Sequence, residues 1–339
     1  MSEQQNFSDI GKVEAIASLF AGTPYKPFDK NVFEVQGRGM IASSSRMFLE
    51  GIDFNLVYFP LMHLGYKCAT AVTGELYSRM AHPVCLTVVL GVSSKLDFAH
   101  VREISDGIVS AAKEHGYKKV FLDLVPSPNG LFINLSAIGE EAILTEKRRP
   151  SAKSKDLICV SGPLGAAYLG MQLLERERTL FDEGETDHVS RERTLSKYKM
   201  LVAAYLKPEL QSDAVSLLEK LEIVPSSGVF VSAGLSDAVK RMARETGLGA
   251  KIYADKIPFE GNSFQLGKEL DIDPVSAAMN GGDDFRLLFT IPILSLEKFK
   301  REFQSFEIIG HLAQPEVGSV LVTPDGVELP MKAQGWAEE

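Results

Sequence analysis

Segments with helical spacing alternate with short β-branched runs along this chain, a pattern that few folds accommodate. "LMHLGYKCATAVTGELYSRM" (61–80) places apolar residues at helical intervals and stops before Pro83. "VCLTVVLGV" (84–92) reads as a strand. "FAHVREISDGIVSAAKEHG" (98–116) is an amphipathic helix closed by a glycine. "KKVFLDLV" (118–125) and "LFINLSAIG" (131–139) are strands. A second series follows: strand "DLICVSG" (156–162), helix "LGAAYLGMQLLERE" (164–177) and helix "PELQSDAVSLLEKL" (208–221). Strand "GVFVSAG" (228–234), helix "LSDAVKRMARETG" (235–247) and strands at 250–257, 286–292 and 306–312 complete it. The expected class is α/β or α+β.

At 339 residues the chain is long enough for two domains, and 45% hydrophobic residues supply two cores. The charged, proline-containing "EKRRPSAKSKD" (146–156) reads as a linker, which divides the chain into 1–145 and 146–339. "RERTLFDEGETDHVSRERTLSKYK" (176–199) is charged and poor in apolar residues. It reads as a solvated helical extension or a mobile loop, not a binding site. The net charge of −9 argues against a general nucleic-acid or membrane-surface binder. No run of about 18 apolar residues occurs, so no membrane span is expected. The polar N-terminus has no leader pattern, and Cys68, Cys85 and Cys159 form no CxxC, which fits reduced thiols in a cytoplasm.

The local motifs are few. His63, His82, His100, His115, His188 and His311 are scattered without metal-ligand spacing. No GxSxG supports a hydrolase elbow. "SGPLGAAYLG" (161–170) follows a strand and opens a helix, so either tight packing or a phosphate contact fits it. "VFVSAGLSDAV" (229–239) is a strand, turn and helix start whose free N–H groups suit an anion. "NGGDDFRLLFTIP" (280–292) is either a hairpin turn with solvated acids or a ligand loop.

Several of these stretches together resemble the thiamine-monophosphate kinase family of the AIR-synthase-like (PurM-like) superfamily. They are "FLEGIDFNLVYFPLMHLGYKCA" (48–69), "DLICVSGPLGAAYLGMQLLERE" (156–177), "LKPEL" (206–210), "NGGDDFRLLFTIP" and residues 308–336, in order over nearly the whole chain. The resemblance implies a two-domain AIR-synthase-like fold, with an N-terminal sheet domain that dimerises and a C-terminal α/β domain. It also implies ATP and magnesium near their junction, with phosphoryl transfer to thiamine phosphate. Such chemistry is positioning and charge neutralisation, so the metal-binding carboxylates carry most of it.

Carried over position by position, most of those carboxylates are changed. The family acids fall on Lys30, Arg46, Glu75, Asp123, Phe230 and Ala233. Only Glu75 and Asp123 keep a carboxylate to hold a metal; Lys30, Arg46, Phe230 and Ala233 are lost metal positions. Residual ATP-site positions are Ser44, Ser45, Asp123, Arg149 and Ser232, and Asp53, Asp283 and Trp336 fall in the substrate pocket. Arg46 is expected to pair with Glu75 and Asp123 and stand in for the ion. The groove near Ser44, Asp123 and Ser232 is then either open or filled by Phe121, Leu122 and Phe230.

Three readings of function follow. In the first, the chain is a thiamine-monophosphate-kinase-like protein without magnesium-dependent phosphoryl transfer. It acts as a homodimeric binding, regulatory or scaffold homologue for a small phosphorylated or thiamine-like ligand, with no particular cofactor expected. In the second, it is an active kinase using ATP and Mg²⁺ in a rebuilt site, where Glu75, Asp123, Asp283 and Asp284 recruit one metal. In the third, it is an enzyme of another reaction that uses the old pocket.

Overall fold

The computed structural model describes residues 39–142, 149–303 and 306–336, with residues 14, 21 and 32–35 besides. The described strands form two sheets. The first contains β1 (Val32–Val35), β2 (Gly39–Leu49), β3 (Ala81–Val92), β4 (Lys119–Pro126) and β5 (Phe132–Glu141), in the order β1-β2-β5-β3-β4. β3 and β4 run parallel and the other pairs antiparallel. Helix α1 (Leu61–Ser78) lies on one face of this sheet, and α2 (Phe98–Glu114) packs on α1. Asp97 fixes the start of α2: its side chain accepts from the His100 backbone at 3.0 Å, and His100 Nδ1 accepts in return from the Asp97 backbone.

The second sheet has the order β12-β11-β8-β10-β6-β9-β7. Its strands are β6 (Leu157–Val160), β7 (Ser227–Val231), β8 (Gly249–Tyr253), β9 (Arg286–Ile291), β10 (Glu307–Ala313), β11 (Ser319–Val322) and β12 (Glu328–Pro330). Its helices are α3 (Ala166–Asp182), α4 (His188–Lys197), α5 (Lys199–Leu206), α6 (Ala214–Lys220) and α7 (Leu235–Thr246). Then come α8 (Ser263–Leu270), α9 (Pro274–Asn280) and α10 (Leu296–Glu302). β7 is buried along its whole length, as its continuous apolar run requires.

Helix α1 touches strands of both sheets, β2, β3 and β5 on one side and β7 and β9 on the other. Leu76 and Tyr77 share one core with Phe230, Phe285 and Phe289. A helix enclosed in this way must be apolar nearly all round, and α1 is buried from Leu64 to Gly74. The position of Lys67 in that buried stretch is the first sign of a specialised site.

Two sequence expectations change. The helix expected over 208–221 is confined to Ala214–Lys220, while Glu209 lies outside it and offers its carbonyl to Arg286 at 3.0 Å. Strand β2 was not evident from periodicity, because Ser44 and Arg46 stand on its helix-covered face and break the apolar alternation. Among the described residues, no helix is long and apolar enough to cross a membrane.

Candidate functional site

Two loops meet at the ends of neighbouring strands. One is the Ser232–Gly234 turn between β7 and α7; the other is the Gly281–Phe285 segment between α9 and β9. The Asp283 backbone donates to Ser232 O at 2.9 Å, and that of Phe285 donates to Val231 O at 3.0 Å. Gly234 is required here, since a Cβ would stand 2.5 Å from Met279 O. Asp283 and Phe285 both adopt left-handed backbone, with φ of 60° and 51°. For a bulky residue such as Phe285 this conformation is strained and is held by the surrounding bonds. The segment is therefore not a hairpin with solvated acids.

Both acids are instead drawn into the protein. Asp283 lies against Arg46 at 3.2 Å and Lys67 at 2.8 Å. Arg46 also approaches Asp53 at 3.9 Å and covers the Phe48 ring at 4.7 Å. Lys67 is buried, with its ammonium 3.6 Å from the centroid of Tyr205. Burial alone would raise the Asp283 carboxyl, but Lys67 and then Arg46 hold it below the usual carboxylate range. Burial lowers the Lys67 ammonium, and Asp283 offsets this only in part because Arg46 opposes it. The structure thus brings Asp53 and Asp283, two of the positions expected in a substrate pocket, to one side chain, Arg46. It corrects the expectation that Arg46 pairs with Glu75 and Asp123.

The cation that meets Glu75 is Arg241 of α7, at 3.4 Å. Arg241 also bonds Asp237 at 3.0 Å and donates to Phe230 O at 2.5 Å. Burial lowers its guanidinium, but Glu75 and Asp237 outweigh that and raise it. The Phe230 ring, meanwhile, is fully buried in the space that Gly74 leaves: a Cβ on Gly74 would fall 2.1 Å from the ring. Phe230 therefore fills the interior beside Glu75, whereas Phe121 and Leu122 are exposed and fill nothing. Arg241 could have been suspected from its four-residue spacing to Asp237 on a predicted helix. Lys67 carried one signal, a lone lysine inside the apolar run "GYKCATAV".

Trp336 joins this second cluster rather than the Asp53–Asp283 pair. Its indole N–H donates to Asp237 at 2.9 Å, and Arg244 and Lys240 lie over the ring at 4.5 and 5.3 Å. Its face is thus already engaged by cations of the chain itself. Asp284 has a different role: it accepts from Gly165 N at 2.8 Å and Ala167 N at 3.2 Å, capping α3. The glycine-rich 161–170 turn therefore receives an internal carboxylate at its helix start.

Burial pushes the Asp284 carboxyl up to about 7, against the pull of those two N–H groups. An acid raised in the folded state contributes its full stability below about pH 4 and loses it as pH climbs towards 7. Within that window the expected loss is roughly 1.4 kcal/mol per pH unit. Asp284→Asn should remove this contribution, which urea unfolding of both proteins at pH 5 and pH 8 would measure.

The other predicted positions are dispersed. Ser44 and Ser45 point to opposite faces of β2; Ser45 bonds Ser136 at 3.0 Å on the face away from Arg46. Asp123 is exposed on edge strand β4 and accepts from the Leu124 backbone at 2.9 Å. Arg149 pairs with Glu141 at 2.7 Å and donates to Arg79 O at 3.1 Å. Ser232 is half-buried and Ala233 exposed in their turn, and Lys30 lies outside the described residues. Among the described residues, no group of three or more His, Cys, Asp or Glu side chains is arranged to hold a metal.

Comparison with known proteins agrees with this architecture. Residues 28–140 match the family model described as AIR synthase related protein, N-terminal domain. The chain is 27% identical over 293 residues to the thiamine-monophosphate kinase of Synechococcus elongatus, covering 85% of this chain and 84% of that protein. It is 28% identical over 252 residues to that of Pyrococcus horikoshii, covering 74% and 72%. The structure of AaThiL complexed with AMPPCP and TMP superposes with a TM-score of 0.79 at 20% identity, covering 99% of both chains. The order of the shared stretches, the two-sheet fold and these relatives converge: the chain is similar over most of its length to thiamine-monophosphate kinases, and its first sheet domain to AIR-synthase-related proteins.

Proposed function

We propose that this protein is a kinase-like homologue that holds a small ligand and does not carry out magnesium-dependent phosphoryl transfer. The observation that carries this reading is the Arg241 guanidinium, 3.4 Å from Glu75 and bonded to Phe230 O. Glu75 and Phe230 both stand where the family resemblance puts metal carboxylates. Magnesium requires an octahedral set of oxygens. Here one acid is spent on a guanidinium and its neighbour is a core aromatic, so these residues do not fit the ion. The acids of the rebuilt-site alternative are also engaged: Asp283 with Lys67 and Arg46, and Asp284 with the start of α3.

Incubation with ATP, Mg²⁺ and thiamine phosphate should therefore yield no thiamine diphosphate above the no-protein control. Its formation at enzymic rates would return the active-kinase reading. The ligand class we assign is a small phosphorylated or thiamine-like molecule, in keeping with the AMPPCP and TMP held by AaThiL.

We assign residues 1–145 and 146–339 to two domains and place the protein in the cytoplasm as a homodimer. Support for the dimer lies on the first sheet: Phe121, Leu122 and Leu124 of edge strand β4 are exposed, as are Met47 and Ile138. An exposed apolar edge strand invites pairing with another chain, and a second copy covers it. Phe121→Asp combined with Leu122→Asp should convert a dimer to a monomer in light scattering. A monomeric wild-type protein would contradict this assignment.

A further inference from the structure

A cavity of about 610 Å³ opens between the start of α1 and the α4–α5 hairpin. That volume lies in the range of small-molecule sites. The cavity shares no residue with the Arg46 or Arg241 clusters, so what it binds does not depend on the function proposed above. Leu195, Val202 and Leu206 supply apolar wall. Arg191, Lys199 and Lys207 supply three cations against one acid, Glu192. His63 and His188 complete the polar lining used here.

Among the described residues, none of the three cations lies within ion-pair distance of a carboxylate. Arg191 is steadied by the Phe181 ring at 5.4 Å, and Lys207 by the Tyr66 ring at 5.2 Å. Two buried nitrogens of the wall have no hydrogen-bond partner, Arg191 Nε and His63 Nδ1. Buried polar groups in folded proteins are nearly always paired, so unpaired ones call for an explanation. A guanidinium Nε–H can only donate, so what it lacks is an acceptor. An oxyanion answers that need, and the apolar wall calls for an attached hydrocarbon body.

We propose that this cavity binds a small amphipathic anion, an apolar body ending in a carboxylate or phosphate. The headgroup sits against Arg191, with Lys199 and Lys207 adding long-range attraction, and the body lies along Leu195, Val202 and Leu206. The charged 176–199 segment, which reads from sequence as solvated, thus supplies one wall of a site.

Calorimetric titration of the full chain with octyl phosphate and with octanoate tests this, with inorganic phosphate and octanol as comparisons. Saturable one-to-one binding of octyl phosphate or octanoate is expected, and their relative affinity distinguishes the two headgroups. Arg191→Gln should weaken it by about tenfold or more, the scale of a charged hydrogen bond. Lys207→Gln gives a second, independent weakening should Arg191→Gln fail to fold, as judged by thermal unfolding. The assignment is overturned by no saturable binding of either amphiphile, or by octanol or inorganic phosphate binding as tightly. Unchanged affinity in both variants also overturns it.

Discussion

Truncation of Lys67 to alanine will destabilise the fold by roughly 3–5 kcal/mol, the scale of breaking a buried ion pair. Lys67 is almost wholly buried and lies 2.8 Å from Asp283. Its removal leaves Asp283 with Arg46 alone, and strips Tyr205 of the cation on its face. The desolvation of Asp283 then loses its nearest compensation. The compensated variant discriminates between causes. Lys67→Met with Asp283→Asn deletes both charges at similar volume and should recover most of the loss, since isosteric replacement of a buried pair is often neutral. Urea midpoints of the three proteins measure this. If the double variant were as unstable as Lys67→Ala, packing rather than charge would be the cause.

Phe230→Asp, which puts an acid where the family resemblance expects a metal carboxylate, will unfold the protein rather than create a metal site. Loss of a buried aromatic alone costs about 3–5 kcal/mol. The Phe230 ring fills the space left by Gly74 and packs on Phe285 at 5.4 Å. A carboxylate there would also be buried beside Glu75, adding like-charge repulsion unless Arg241 served both. Single domains commonly hold only about 5–15 kcal/mol in total, so the variant should be largely unfolded at 37 °C by circular dichroism. A folded Phe230→Asp protein would mean that this interior is more open than its packing indicates.

These two residues also mark how far sequence could lead. The helical and strand patterns are read from side chains that face a core, and α1, α2, α7 and β3 to β5 came through because their apolar spacing is regular. β2 did not, because its inner face carries the Ser44 and Arg46 of the site. A strand that serves a charged cluster departs from binary patterning. The overextended helix at 208–221 has a similar cause, since its first residues answer to Arg286 rather than to helical propensity. Asp53 and Asp283, singled out from the shared motifs, both approach Arg46, at 3.9 and 3.2 Å. The partners were not legible: Arg46 chooses among four acids by geometry alone, and Arg241 reaches Glu75 from a helix 166 residues away in sequence. Pairings of that kind depend on which faces α1 and α7 present to each other, and no local pattern records it.

On the proposed function, the guanidinium of Arg241 and the ring of Phe230 occupy the place of a divalent-ion site beside Glu75. The most direct test is calorimetric titration of the intact protein with ATP in the presence of Mg²⁺ and again in EDTA. The two isotherms should coincide, whether or not the nucleotide binds. Tight binding that appears only with Mg²⁺ would contradict the account.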